Sequence, residues 1–396
     1  MLLAQLLELF LGASLDDVRA FVKENPRALE EMDAKFILHE MLRFDEVGLE
    51  KVSYILQVYP CCVTVKDIWG RLPLHTAASF GVDGDIVRAL VQHFPEATII
   101  EDLKREIPLH SALQIGHFET AATFLDEHLG EIDALDALAL IKNAIREKAP
   151  PLFFEQLTQK VPHGFRMRGE DGNLPLHTAI FNSTGGQIDV IINAYPEAIR
   201  IQNARGNIPL HIATFRAPDP VFIQRLVDGY PEGCSIRNES GNLPIHCVMA
   251  NGTATQSLMI LHNQFPQGLV AVNNEGNTPL HCHLCGSHYE SNTSMVEMLL
   301  NLNASSARMI NNSGEIPLHV AAREWGCGAE SLRMLVDAFP RSLQSQCDKG
   351  NFPLHCALSS LHYDDAAKER VDFLLNADRA QSGRVNYCFM FSPSIS

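Results

Sequence analysis

The amino-acid sequence predicts an all-α repeat solenoid, a series of stacked helix pairs in which each unit meets only its neighbours. Three observations carry this. A Pro-Leu-His cluster recurs through the chain, an aromatic-Pro pair recurs in the same register, and the residues before that pair are apolar at helical spacing.

The Pro-Leu-His cluster has eight clear copies, with prolines at Pro73, Pro108, Pro175, Pro209, Pro244, Pro279, Pro317 and Pro353. The intervals are 35, 67, 34, 35, 35, 38 and 36 residues, so the long one spans two units, one of which has lost the cluster. A weaker copy, Phe36-Ile37-Leu38-His39, lies upstream of Pro73. Proline is tolerated in the first turn of a helix, where its missing N–H would be unpaired anyway. Each cluster therefore marks the start of a first helix. A glycine three residues earlier (Gly70, Gly172, Gly206, Gly241, Gly276, Gly314, Gly350) marks a tight turn with positive φ.

The second marker is Tyr59-Pro60, Phe94-Pro95, Tyr195-Pro196, Tyr230-Pro231, Phe265-Pro266 and Phe339-Pro340. Before it run stripes such as Val87, Leu90, Val91 and Phe94, or Leu332, Leu335, Val336 and Phe339. That spacing is one buried face of an amphipathic second helix. The proline then disfavours helical backbone at the aromatic and ends the helix. An extended stretch returns the chain to the next glycine.

The ends and one interior unit depart from this plan. Residues 1–30 are predicted to be a capping helix pair, with Leu3, Leu6, Leu7 and Phe10 on one stripe and Val18, Phe21 and Val22 on the other. Residues 134–168 read as a degenerate repeat, with a helix over 134–147, a break at Pro150-Pro151 and a helix through Gln159. It precedes a small basic cluster, Lys160, Arg166 and Arg168. Two units carry longer loops, at Gly286–Asn292 and Ser359–Asp365. The expectation is one solenoid over residues 1–380 with about eleven helix pairs. The tail, 381–396, fits no repeat.

Composition bounds the function. Hydrophobic residues make up 46% of the 396, enough to bury a core along the whole length. The net charge of −16 repels phosphate backbones, which argues against nucleic acid as a ligand. No stretch is apolar enough to span a bilayer. The apolar N-terminus carries Glu8 and lacks a positive flank, unlike a secretion signal. The expectation is a cytoplasmic or nuclear, monomeric protein whose cysteines are reduced.

The repeat resembles the ankyrin repeat, whose Thr-Pro-Leu-His-x-Ala motif recurs at about 33 residues. The resemblance covers the chain from about residue 30 to 380 and implies stacked helix pairs with β-hairpin-like fingers. It also implies protein binding through the fingers and the concave face, with no catalytic residues. This chain is a divergent relative, marked by Gly-Asn-[Leu/Ile]-Pro-Leu-His and [Phe/Tyr]-Pro-Glu-Ala. Only Thr278 keeps the threonine; elsewhere Leu72, Ile107, Leu174, Ile208, Leu243, Ile316 and Phe352 stand there, so the family's Thr-to-His hydrogen bond is mostly absent. Asn173, Asn207, Asn242, Asn277 and Asn351, one position earlier, are placed to act as local caps instead.

The chemistry of single residues adds little. Nine of the 17 histidines occupy the repeat slot (His39, His75, His110, His177, His211, His246, His281, His319, His355) and read as a buried structural ladder. The best metal candidate is His281-Cys282-His283-Leu284-Cys285, where Cys282, His283 and Cys285 offer zinc ligands on a helix. Cys247 and Cys356 fill the Cys282 slot in other copies, which favours a packed helix. No nucleotide loop, nucleophile elbow or metalloprotease motif occurs, and no cofactor is expected.

The function expected is a non-enzymatic protein-interaction scaffold. Exposed aromatics and arginines near the fingers are the natural anchors, which singles out Trp69, Arg71, Lys104, Arg105 and Arg205. The alternatives are a zinc-binding protein centred on Cys282 and Cys285, and a regulatory module of a larger assembly.

Overall fold

The computed structural model describes residues 8–9, 11–25, 36–44, 47–128, 130, 132–182, 185–216, 219–249, 255–286, 292–324, 327–359 and 366–382. The stripe Leu3, Leu6, Leu7 and Phe10, most of both longer loops, and the tail beyond Ser382 lie outside them. The chain divides into two compact units, residues 1–169 with 174–196, and residues 170–173 with 197–396.

Unit 1 begins with α1 (Leu15–Glu24), whose start is fixed by Ser14 accepting from the Asp17 N–H. Helix pairs follow: α2 (Ile37–Met41) with α3 (Leu49–Val58), α4 (Pro73–Phe80) with α5 (Gly84–His93), and α6 (Pro108–Ile115) with α7 (Phe118–Glu127). The degenerate repeat forms α8 (Ala134–Arg146) and α9 (Pro151–Lys160), and the unit ends with α10 (Pro175–Phe181) and α11 (Gly185–Ala194). First helices pack on first helices, α4 on α6, α6 on α8 and α8 on α10. Second helices do the same, from α3 through α11.

Unit 2 repeats the plan. It contains α12 (Pro209–Arg216) with α13 (Pro220–Gly229), α14 (Pro244–Met249) with α15 (Thr255–Gln264), and α16 (Pro279–Leu284) with α17 (Asn292–Leu302). The last pairs are α18 (Pro317–Arg323) with α19 (Ala329–Ala338), and α20 (Pro353–Ser359) with α21 (Ala366–Ser382). The first helices α12, α14, α16, α18 and α20 stack in order. Among the described residues this makes ten pairs and the capping helix α1. Every Pro-Leu-His proline is the first residue of its helix, as the sequence requires.

The core is the apolar stripe of each second helix against the Leu and Ala of the first. In α4 and α5 it comprises Leu74, Ala77, Ala78, Val87, Leu90 and Val91, all buried.

The return to the next finger is not extended from its start. Residues 60–64, 95–99, 162–166, 196–200, 231–235, 266–270, 304–308 and 340–344 each form a one-turn 3-10 helix. This turn explains the Pro-Glu-Ala marker. A proline opens seven of these turns and Ala304 the other, and the small third residue is buried against the helices: Cys62, Ala97, Gly164, Ala198, Gly233, Gly268, Ser306 or Ser342. A Cβ on Gly164 would stand 2.7 Å from the Ile141 Cδ1, so the slot has no room to spare. The basic cluster after α9 is used in packing. The Arg166 guanidinium lies 5.5 Å from the centroid of the Tyr195 ring, and the Lys160 ammonium pairs with Asp126 at 3.6 Å.

Candidate protein-binding groove at the first two fingers

No strand occurs among the described residues, and each hairpin-like finger is a short turn closed by one backbone bond, such as Asp67 N–H to the Arg71 carbonyl at 2.9 Å. Each is a side-chain-braced turn. In the first, Asp67 Oδ1 accepts the N–H groups of Trp69 and Arg71, both at 2.9 Å. Asp102 does the same in the second finger, and Asn203, Asn238, Asn273 and Asn311 in later ones. The glycines predicted to need positive φ all have it, from 68° to 76°.

Fingers are joined to one another by a backbone hydrogen bond at the same place each time. Leu103 N–H donates to the Trp69 carbonyl at 3.0 Å, Glu239 to Arg205 at 3.0 Å, Asn274 to Ser240 at 3.1 Å and Asn312 to Glu275 at 3.0 Å. An asparagine ladder runs beside it in unit 2. Asn203, Asn238, Asn273 and Asn311 donate through Nδ2 to Oδ1 of Asn173, Asn207, Asn242 and Asn277 in turn. Four of the five asparagines read as local caps, Asn173, Asn207, Asn242 and Asn277, therefore bridge neighbouring repeats.

The histidines supply a third ladder. The Nδ1 of His75, His211, His246, His281 and His319 accepts the N–H of the residue before its own helix proline, at 3.1 to 3.3 Å. A backbone N–H needs a lone pair to receive it, so Nδ1 is bare and the proton sits on Nε2. Nε2 donates to a carbonyl at or just before the next finger, such as Glu106 at 3.0 Å for His75 and Glu315 at 3.1 Å for His281. Apolar side chains replace threonine here because the backbone N–H already fills the threonine's role toward the ring. Thr278 keeps the additional hydroxyl contact, 2.8 Å from His281 Nδ1.

Paired helices, glycine fingers and a histidine in each Pro-Leu-His first helix decide the architecture. The fold is that of the ankyrin repeat. Among solved structures, the chain is similar to a chain in the complex of a predatory endopeptidase from Bdellovibrio bacteriovorus with an immunity protein, at 17% identity, covering 52% of this chain and 98% of that one with a TM-score of 0.42. It is also similar to the ankyrin repeat domain of Bcl-3, at 19% identity, covering 59% of this chain and 96% of that one with a TM-score of 0.42. No protein-family model and no curated protein matches the sequence.

In this ankyrin stack, the first two fingers and the ends of α4 and α6 enclose a groove of about 310 Å³ in unit 1. Trp69, Arg71, Asp102, Lys104, Gln114 and Ile115 are among its lining residues. Three of the five anchors expected from sequence thus meet there. Trp69 is 53% exposed. Arg71 is half-buried and braced: its Nε donates to Asp67 Oδ2 at 2.9 Å, and its guanidinium lies 4.5 Å from the Trp69 ring centroid. Burial pushes the Asp67 carboxyl up, but the hydrogen bonds from Arg71 and Trp69 outweigh this and hold it below its ordinary value. Arg71 is therefore a prop for Trp69. Arg105 is exposed on the second finger, outside the groove lining, and Arg205 is exposed on a finger of unit 2.

Three surface residues escaped the reading from sequence. Ile68 is 78% exposed, Leu103 76% and Ile115 55%. The signal existed in the alignment of the repeats. The slot five residues before the helix proline holds Ile68 and Leu103 in these two fingers, and polar or small residues in every later one, from Glu170 to Asp348.

The zinc alternative finds no assembled site. Cys282 and Cys285 lie at the end of α16, with Cys282 Sγ packed 3.9 Å from Asn273 Nδ2 and His283 fully buried. Among the described residues no three His, Cys, Asp or Glu side chains come together as metal ligands. His288 lies outside them. Burial pushes the Cys62, Cys247 and Cys282 thiols up to about 12, whereas Cys61 is exposed. A maleimide at neutral pH is expected to label Cys61 quickly and the other three only after unfolding. Equal labelling rates in the native protein would contradict this packing.

No helix among the described residues is long and apolar enough to cross a membrane.

Proposed function

We propose that the chain is a non-enzymatic protein-binding module that engages a partner protein through the first two fingers and the groove beside them. The observation that carries this is the exposed apolar set Ile68, Trp69 and Leu103 on adjacent fingertips, with Ile115 on the groove wall. Apolar residues scattered singly on a surface are unremarkable, but a cluster rimmed by polar groups suits an interface. Trp69 adds a large, rigid anchor of the kind that dominates interface energetics. Among the described residues the lining contains no histidine or cysteine, and its carboxylates are engaged, Asp102 within its finger and Glu106 by the Gln114 amide. That leaves binding as the chemistry the groove is equipped to perform.

A photo-crosslinking amino acid placed at Ile68, at Leu103, or at the exposed Val221 on α13 tests the reading. The expected result is a discrete adduct, identified by mass spectrometry, from the two finger positions and not from Val221, and its loss on Trp69→Ser. Adducts that form equally at all three positions, or persist without Trp69, would overturn it.

A further inference from the structure

The second finger is built at a cost that the first is spared. Where the seven Pro-Leu-His fingers from Gly70 to Gly350 place glycine, this one places Arg105, with φ 63°. Left-handed backbone is strained for a residue with a Cβ and not for glycine. The turn does not need the side chain: its closing hydrogen bond, Arg105 N–H to the Asp102 carbonyl at 3.1 Å, is one glycine makes equally well. Strain held at an exposed position points to use of the side chain.

The charges around it have one direction. Asp102 Oδ1 is taken by the Lys104 and Glu106 N–H groups, Glu106 by the Gln114 amide, and Asp67 by Arg71. Glu101 precedes the finger turn. Among the described residues no carboxylate lies within ion-pair distance of Lys104 or Arg105. Two uncompensated cations therefore stand next to Leu103, Ile68 and Trp69 in a chain of net charge −16.

We propose that the finger Asp102–Glu106 recognises an acidic, apolar peptide segment of the partner protein. Leu103, Ile68 and Trp69 take an apolar side chain, while Lys104 and Arg105 take flanking carboxylates in charge-assisted hydrogen bonds. The proposal rests on the reading of the groove as a protein-binding surface. Repulsion from the acidic remainder of the chain is screened beyond about 8 Å at physiological salt, so contacts at the fingertip decide the sign.

The test selects a phage-displayed library of random dodecapeptides on the full chain. Enriched sequences are synthesised and titrated by fluorescence anisotropy against the wild type and three folded variants: Lys104→Glu/Arg105→Glu, Trp69→Ser/Ile115→Ser and Arg105→Gly. Enriched peptides are expected to carry Asp or Glu beside Leu, Phe or Trp. The charge reversal is expected to weaken them about tenfold or more. Arg105→Gly is expected to weaken them too, while raising the melting temperature by about 2 °C. Peptides lost with Trp69→Ser/Ile115→Ser but indifferent to charge reversal would overturn the acidic-segment proposal and leave the groove reading standing. Indifference to both variants, or no enrichment, would overturn both. Preferential binding of a single-stranded oligonucleotide to Lys104 and Arg105 would overturn the proposal in favour of another ligand class.

Discussion

Lowering the pH from about 7 toward about 4 is expected to unfold unit 2 through its histidine ladder. Burial pushes His211, His246 and His281 down to about 4 from an ordinary value of 6.5. Geometry gives the same answer, because protonating Nδ1 sets it against the backbone N–H it accepts. The sign follows from proton counts. Between 6.5 and about 4 the unfolded chain binds a proton at each ring and the folded chain does not, so stability is complete above 6.5 and is lost as pH falls through the window. Each ring contributes about 1.4 kcal/mol per pH unit. Three rings acting over the window sum to on the order of 10 kcal/mol, comparable with the whole stability of a domain. His39, His75, His110 and His319 are shifted in the same direction, chiefly by burial. Urea midpoints measured by circular dichroism at several pH values check this. A midpoint that stays flat from neutral pH down to about 5 would show that the rings are not held as described.

The second large effect concerns two glycines in the same slot. Gly276→Ala is expected to destabilise by about 3 kcal/mol, and Gly350→Ala by only about 1. Both positions have the left-handed backbone, φ 75° and 74°. They differ in what a Cβ would meet. At Gly276 it would lie 2.5 Å from the Asn312 backbone nitrogen, whose N–H donates to the Glu275 carbonyl. The next finger would have to withdraw, breaking that bond. At Gly350 no atom of the described residues lies within 4 Å, and conformational strain alone remains among them. Equal losses in the two variants, read from urea unfolding, would mean that contact between fingers contributes nothing to stability.

What could be read before the structure was what depends on local backbone rules. The helix starts at Pro73 through Pro353 and the positive φ of seven glycines follow from one residue's stereochemistry, and they stand where the sequence placed them. The helices of the degenerate repeat were legible for the same reason, since Ala134–Arg146 carries its own periodicity and Pro150-Pro151 its own break. The 3-10 turns were not. Five residues are too few for a period, and their small third residue is explained only by packing, as Gly164 against Ile141 shows. The hairpin-like finger form was inferred from a resemblance, and the Asx bracing within it was not, because it shows only when Asp67, Asp102 and the later asparagines are seen to take two N–H groups of their own turns. At the groove, aromatic and cationic residues drew attention to Trp69, Arg71 and Lys104, but charge alone could not distinguish the braced Arg71 from the unpaired Lys104. Ile68 and Leu103 become visible only when each finger is compared with the others at the same slot.

The three ladders between fingers also bear on how such a chain changes length over evolutionary time. The finger of residues 238–242 gives its Glu239 N–H and Asn238 amide to the finger before it, and offers its Ser240 carbonyl and Asn242 Oδ1 to the finger after. Its Asn242 carbonyl receives His211 from one side, while His246 reaches onward on the other. The successive repeats of unit 2 thus present the same plugs on one face and the same sockets on the other. A whole repeat that is duplicated or deleted there leaves no donor or acceptor stranded, whereas an insertion within a finger strands several at once. Outside the loops between helices, this stretch is free to be edited only in units of its own period.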